Sequence, residues 1–131
     1  LCLTYLYFIL YLMKIQKLPK EKFPKALLEI PQPPKVLYLW GELPPEGVVC
    51  LAVVGSRKAT TYGKDAVRKL ILGLKGYPIA IVSGLAVGID ALSHEAALDA
   101  GLIAVAFPGS GISDAALSYN PNIKLMKRIV D

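Results

Sequence analysis

Gly55-Ser56-Arg57-Lys58, with Thr60 close behind, follows directly on the uninterrupted apolar run from Val48 to Val54. These residue types suit an anion. Gly55 permits a tight turn, Ser56 and Thr60 offer hydroxyls, and Arg57 and Lys58 offer positive charge. A helix starting just beyond would present free backbone N–H groups to a phosphate. Two further glycine loops follow apolar runs, Ser83-Gly84-Leu85-Ala86-Val87-Gly88 and Pro108-Gly109-Ser110-Gly111. Ser83, Gly84, Gly109, Ser110 and Gly111 therefore join Gly55, Ser56, Arg57, Lys58 and Thr60 as candidate phosphate-binding residues.

Other chemistries find less support. A P-loop needs four residues between its glycines and then Lys-Ser or Lys-Thr; here Gly55 and Gly63 enclose seven, and Lys64 is followed by Asp65. Gly109-Ser110-Gly111 opens like a dinucleotide fingerprint, but Asp114 occupies its third glycine position. His94 is the single histidine; without a paired nucleophile or neighbouring ligands it makes neither a triad nor a metal site. No catalytic residue, metal or cofactor is expected. Asp90 is expected to cap a helix by accepting backbone N–H groups, and His94, one turn later, to bond structurally to Ser83 or Asp90.

The elements that must position these loops follow from periodicity. Seven apolar residues rich in valine, bounded by glycine, suit a strand covered on both faces, as in a parallel sheet. Cys50 lies within it and reads as core. Val67, Leu70, Ile71 and Leu74 fall at i, i+3, i+4 and i+7, the buried stripe of a helix that Gly76 ends. The pattern repeats with a strand over Ile79 to Val82 and a helix over Ile89 to Ala100, then a strand over Leu102 to Phe107. An amphipathic helix over Ile123 to Val130 comes last. Alternating strands and helices imply a Rossmann-like α/β fold, a parallel sheet between helical layers. Loops after the strands of such a sheet share one edge, where ligands bind. Upstream, residues 23–41 combine a short helix, a proline-stiffened connector and a strand, Val36 to Trp40, expected to pair at the sheet edge or to pack as a flap.

Composition bounds the rest. The chain has 131 residues, 54% of them apolar, enough for one domain core. Two distant cysteines, Cys2 and Cys50, give no disulfide framework and favour a cytoplasmic location. The net charge is +5, yet residues 36–121 balance six basic against seven acidic groups, so the excess lies outside the α/β core. The lysine-rich stretch 14–35 reads as a solvated face. Residues 1–12 are uncharged but too few to span a membrane, which needs about 20 apolar residues. Met13 is read as the native start, with residues 1–12 coming from upstream of it. Single-stranded nucleic acid needs cations along its phosphates and flat side chains for its bases. Arg57, Lys58 and Lys64 could serve the first need. Tyr62 and Tyr119 read as structural cover, with base stacking the alternative.

Phe23-Pro24, Leu27, Ile30, Pro33-Pro34, Leu37-Tyr38 and Gly41, then Val53 to Thr60 with Tyr62-Gly63, then Ile81 to Ala86 with Gly88-Ile89-Asp90 and His94, together resemble the DNA-processing DprA (Smf) family. The resemblance runs from Lys17 to about Ile129. It implies an extended Rossmann fold that binds single-stranded DNA and helps load the RecA recombinase during natural transformation, without catalysis. It also implies a homodimer, and it places Ser56 and Arg57 in a loop that contacts DNA phosphate. Two departures stand out. The family's tyrosine-proline-x-x-asparagine element appears as Tyr119-Asn120-Pro121-Asn122, and the second half of the Rossmann domain, with its Phe-Pro-x-Arg-Asn-Arg segment, is missing. The chain is therefore expected to be an N-terminal fragment: residues 1–12 upstream sequence, 13–45 an extension packing on the core, and 46–131 half of the DNA-binding domain. The rival reading is a Rossmann-like protein that binds a small nucleotide or acts as a nucleoside monophosphate phosphoribohydrolase of the lysine-decarboxylase-like group. Pro108-Gly109-Ser110-Gly111 lacks the threonine and glutamate of that group's signature.

Overall fold

Short runs of valine, isoleucine and alanine form three parallel strands in the computed structural model, which describes residues 15–131. The strands are β3 (Val49–Ala52), β4 (Ile79–Ser83) and β5 (Ile103–Ala106), in the order β3-β4-β5. Ile81 of β4 pairs with Leu51 of β3 on one side and with Ala104 of β5 on the other. Helix α2 (Thr61–Leu72) connects β3 to β4 and α3 (Ile89–Asp99) connects β4 to β5. Parallel neighbours require such crossovers, so the expected α/β layout is the observed one. Two helices follow, the short α4 (Asp114–Leu117) and α5 (Ile123–Val130). Leu125 and Met126 on the apolar stripe of α5 are buried, and Arg128 reaches Asp99 at 3.3 Å.

The chain divides into two compact units, the first ending at Leu43 and the second comprising Pro44–Asp131. In the first, β1 (Ile15–Leu18) pairs antiparallel with β2 (Leu37–Trp40), Ile15 opposite Trp40 and Leu18 opposite Leu37. The strand expected near Val36 to Trp40 thus belongs to a two-stranded sheet of its own, not to the edge of the parallel sheet. Between them lie a single 3-10 turn (Lys20–Lys22) and α1 (Lys25–Leu28), the latter opened by Pro24. A proline tolerates a helix start because the first N–H groups have no intrahelical partner. Leu18 and Phe23 are buried. The expectation for residues 1–12 and Met13 falls outside the described residues.

In the second unit the core sits where β4 meets α2 and α3. Ile71, Ile81, Ala96, Ala97, Ala100 and Leu102 form it, with Val53, Val67, Leu74, Ile79 and Ala104 packed against it. The alanines of α3 let its backbone approach the sheet closely. Three expectations are corrected. The first strand is not covered on both faces: Val49 is 63% exposed, and Leu51, Ala52 and Cys50 are also exposed. β3 has only β4 as a hydrogen-bonded neighbour, so the cover its apolar sequence invites is absent among the described residues. Cys50 is accordingly surface rather than core. The stripe on α2 is also narrower than its spacing suggests, because Ile71 is fully buried while Leu70 is 56% exposed. Ile71→Ala is expected to lower unfolding free energy by about 2–5 kcal/mol, and Leu70→Ala by less than about 1 kcal/mol. Urea denaturation of the two variants measures the contrast, and equal destabilisation would contradict this account of the core.

Candidate functional site

The three glycine loops converge at the carboxyl ends of β3, β4 and β5, around an open cleft of about 530 Å3. Arg57 contributes from the loop after β3, Gly84 to Val87 from the loop after β4, and Pro108, Gly109 and Ser110 from the loop after β5. Ala116 of α4 and the segment Tyr119-Asn120-Pro121 close the remaining side. Gly111 is not part of the lining; a Cβ added there would meet the Ala116 side chain at 3.6 Å.

A buried carboxylate fixes the first two loops. Asp90, 8% exposed, accepts the Gly84 N–H on Oδ2 at 3.1 Å and the Gly55 N–H on Oδ1 at 3.4 Å. It lies in the first turn of α3, where the helix dipole favours a negative charge. Asp90 does accept backbone N–H groups, but it does not cap the helix as expected. The N-cap position is Gly88, which has no side chain to donate or accept. The amides of Gly55 and Gly84 thus point inward to Asp90.

Ser83 is likewise turned inward. It is 4% exposed, and its hydroxyl donates to the Val53 carbonyl at 2.6 Å, riveting the end of β3 to the end of β4. A phosphate at the surface does not meet it. Thr60 is the N-cap of α2, its Oγ1 accepting the Gly63 N–H at 3.1 Å, and Ser56 Oγ accepts the Lys58 N–H at 3.0 Å. Both side chains are exposed, and accepting a bond leaves each hydroxyl proton free to donate. Arg57 and Lys58 are exposed and, among the described residues, make no ion pair.

Close backbone contact explains two glycines. Gly88 has φ +90°, and a Cβ there would come within 2.6 Å of the Arg57 carbonyl oxygen. The neighbouring Ile89 N–H donates to the Ser56 carbonyl at 3.1 Å. A Cβ on Gly55 would lie 2.8 Å from the Ile89 side chain. The backbone that carries Arg57 is therefore seated directly on the start of α3.

Sequence reasoning missed Leu85 and Asn122. Leu85 is 2% exposed yet holds φ +57°, the one positive-φ non-glycine residue among those described. The left-handed region costs an ordinary side chain about 1–2 kcal/mol. Its carbonyl accepts the Asn122 Nδ2–H at 2.9 Å, and the Asn122 N–H in turn donates to Asn120 Oδ1 at 2.8 Å. Two asparagines flanking a proline ahead of a helix are a turn signature, but nothing marks a leucine for that conformation. The tyrosines also depart from expectation. Tyr62 is 83% and Tyr119 89% exposed, so neither serves as structural cover.

His94 is fully buried one turn below Asp90. Neither ring nitrogen reaches full hydrogen-bonding geometry; of the two expected partners, the Ser83 backbone lies near enough to act on the ring, while Asp90 acts only through its charge. Burial holds the imidazole below its ordinary pKa, with the Ser83 backbone and the Asp90 charge opposing the shift. His94 does not line the cleft.

The family model for DNA recombination-mediator protein A matches residues 14–131. The chain belongs to this family. It is 38% identical over 112 residues to Protein Smf of Synechocystis, covering 82% of this chain and 27% of that protein. It is also 38% identical over 104 residues to DNA processing protein DprA of Streptococcus pneumoniae, covering 76% and 36%. The chain thus spans about a quarter to a third of the length of these curated relatives. The crystal structure of the S. pneumoniae protein superimposes with a TM-score of 0.76 at 33% identity, over 95% of this chain and 44% of that one. DNA processing protein A from Helicobacter pylori, whose structure concerns its single-stranded DNA binding mode, gives 0.75 at 27% identity, over 90% and 52%.

Two outcomes follow for this DprA-family chain. Gly88→Ala forces a side chain into the Ser56–Arg57 backbone at a positive φ and is expected to cost more than about 1 kcal/mol of stability in urea unfolding; a neutral substitution would contradict the seating of that loop. For His94, the folded pKa is lower than the unfolded value of 6.5. The unfolded chain therefore gains a proton first as pH falls, so this contribution is complete above about 6.5 and is lost on descent towards the folded pKa. The urea midpoint should fall between about pH 7.5 and 5.5, and His94→Gln should flatten that dependence. An identical pH dependence in the two proteins would rule His94 out as its source.

Proposed function

We propose that this surface binds the phosphate backbone of single-stranded DNA. The observation that carries the reading is the placing of Arg57: exposed, without an acidic partner among the described residues, and lining a cleft at the carboxyl ends of the parallel strands. A guanidinium offers paired N–H donors that match phosphate oxygens. Lys58 adds charge beside it, and the hydroxyls of Ser56 and Thr60 add donors. Gly109 and Ser110 supply the opposite wall. Tyr119, on the same cleft and almost wholly exposed, presents a flat face on which an unpaired base can stack. The single-stranded DNA binding of the H. pylori relative supports the same reading.

The side chains on the cleft, a guanidinium and a tyrosine ring, are of the types that recognise phosphate and base. Among the described residues no cluster of three or more His, Cys, Asp or Glu could hold a metal ion, and the single histidine is buried away from the cleft. We read the chain as a non-catalytic binding module, on the recognition groups that line the cleft. In the whole protein, its proposed task is to protect incoming single strands during transformation and to pass them to RecA, with a homodimer as the working form. Among the described residues no helix is long and apolar enough to cross a membrane, and the proposed location is the cytoplasm.

Arg57→Ala is expected to weaken binding of a labelled oligo-dT by roughly tenfold or more, in line with removal of a charge-assisted hydrogen bond. The salt slope should fall by about 0.7 for each phosphate of a single strand that the variant no longer neutralises. Fluorescence anisotropy at several salt concentrations, with a duplex of equal length alongside, measures both. Equal affinity for duplex and single strand, or a substitution without effect, would defeat the proposal.

A further inference from the structure

Opposite walls of the cleft meet through one side chain outside its lining. The loop after β4 supplies Leu85 and Ala86 to one wall, and the segment before α5 supplies Tyr119 and Asn120 to another. Asn122 joins them, donating from Nδ2 to the Leu85 carbonyl at 2.9 Å while its own N–H is held by Asn120 Oδ1 at 2.8 Å. Asn122 is also the residue at which α5 starts, and α5 is anchored by the buried Leu125 and Met126. The tether therefore runs from a packed helix to a strained loop.

We infer that Asn122 is a positioning residue of the cleft: its amide holds Leu85 left-handed and so sets both the course of the Gly84 to Val87 loop and the spacing of that loop from Tyr119. Three observations converge on this. Leu85 adopts φ +57°, a backbone conformation that a side chain with a Cβ disfavours. A residue keeps such a backbone only where its surroundings over-determine it. The side chain is buried, so packing fixes one end of the residue, and the Asn122 amide fixes the other. Asn122 is itself clamped by Asn120, so its amide does not sample other acceptors freely. Aspartate is the informative replacement, because it keeps the shape of asparagine but sets an oxygen against the Leu85 carbonyl where a donor stood.

The inference rests on the DNA-binding reading for its ligand but not for its geometry, and the experiment separates the two. Asn122→Asp and Asn122→Ala are compared with the parent chain and with Arg57→Ala, first by amide hydrogen exchange without ligand, then by oligo-dT binding. Exchange across residues 84–88 should accelerate at least tenfold in both Asn122 variants, while the core amides of Ile71 and Ile81 stay protected. Oligo-dT affinity should fall roughly fivefold to tenfold with an unchanged salt slope, since Arg57 and Lys58 remain, whereas Arg57→Ala lowers the slope as well. A variant that merely unfolds in part would instead reduce the bound stoichiometry and leave the dissociation constant of the folded fraction alone, which overturns the positioning role. Unchanged exchange over 84–88 overturns the inference whatever the chain binds. Accelerated exchange with full affinity, in a protein that Arg57→Ala does weaken, overturns the positioning role too. If the parent chain itself fails to bind oligo-dT, the DNA-binding reading falls, and exchange alone decides whether Asn122 holds the loop.

Discussion

The Asp90 carboxylate is the constraint on which the site depends. A charge buried this deeply is costly unless its oxygens are occupied, and here two backbone amides and the amino end of α3 occupy them. Those amides belong to Gly55 and Gly84, which follow different strands, so one side chain sets the distance between two loops. Steric closeness reinforces it. A Cβ on Gly84 would lie 2.9 Å from Asp90 Oδ2, and a Cβ on Gly55 would strike Ile89, the residue beside Asp90. The glycines permit the approach and the carboxylate holds it.

This arrangement divides labour within each loop. Backbone N–H groups and the Ser83 hydroxyl, which by type alone could serve a phosphate, are committed inward to Asp90 and Val53. The cationic side chains of Arg57 and Lys58 are left outward. An inward-facing negative charge beneath an outward-facing pair of positive ones keeps the repulsive group away from the surface where an anion would arrive. The glycine-rich character of the loops thus serves their mutual packing, and in the proposed reading recognition falls to a few side chains and to the aromatic ring of Tyr119.

The repeated strand-loop-helix organisation was legible because it rests on periodicity: β-branched runs of strand length, and apolar residues three and four apart with glycine beyond them. The place of Arg57 was legible for the same reason, since loops after parallel strands share an edge. Burial was not. Val48 to Val54 has the composition of an interior strand, but composition says nothing about whether a neighbour is present to cover it, and β3 has only one. Ser83 and Ser56 are alike in sequence, each beside a glycine after an apolar run, yet one is a rivet and the other is at the surface. That distinction depends on where the Val53 carbonyl points. Leu85 was invisible because its conformation is imposed from outside, by Asn122, 37 residues away.

The exposure of β3 bears on how Arg57 is held. Its loop is carried by a strand with a single hydrogen-bonded neighbour and much of its apolar surface open to water. Such edges are the first parts of a domain to open locally, at a free energy well below that of global unfolding. The contacts to Asp90, Ile89 and Gly88 act at the far end of the strand and oppose that fraying. A phosphate gripped by Arg57 would bind only the closed form and so draw the opening equilibrium shut, which makes the order of β3 part of the ligand's own affinity.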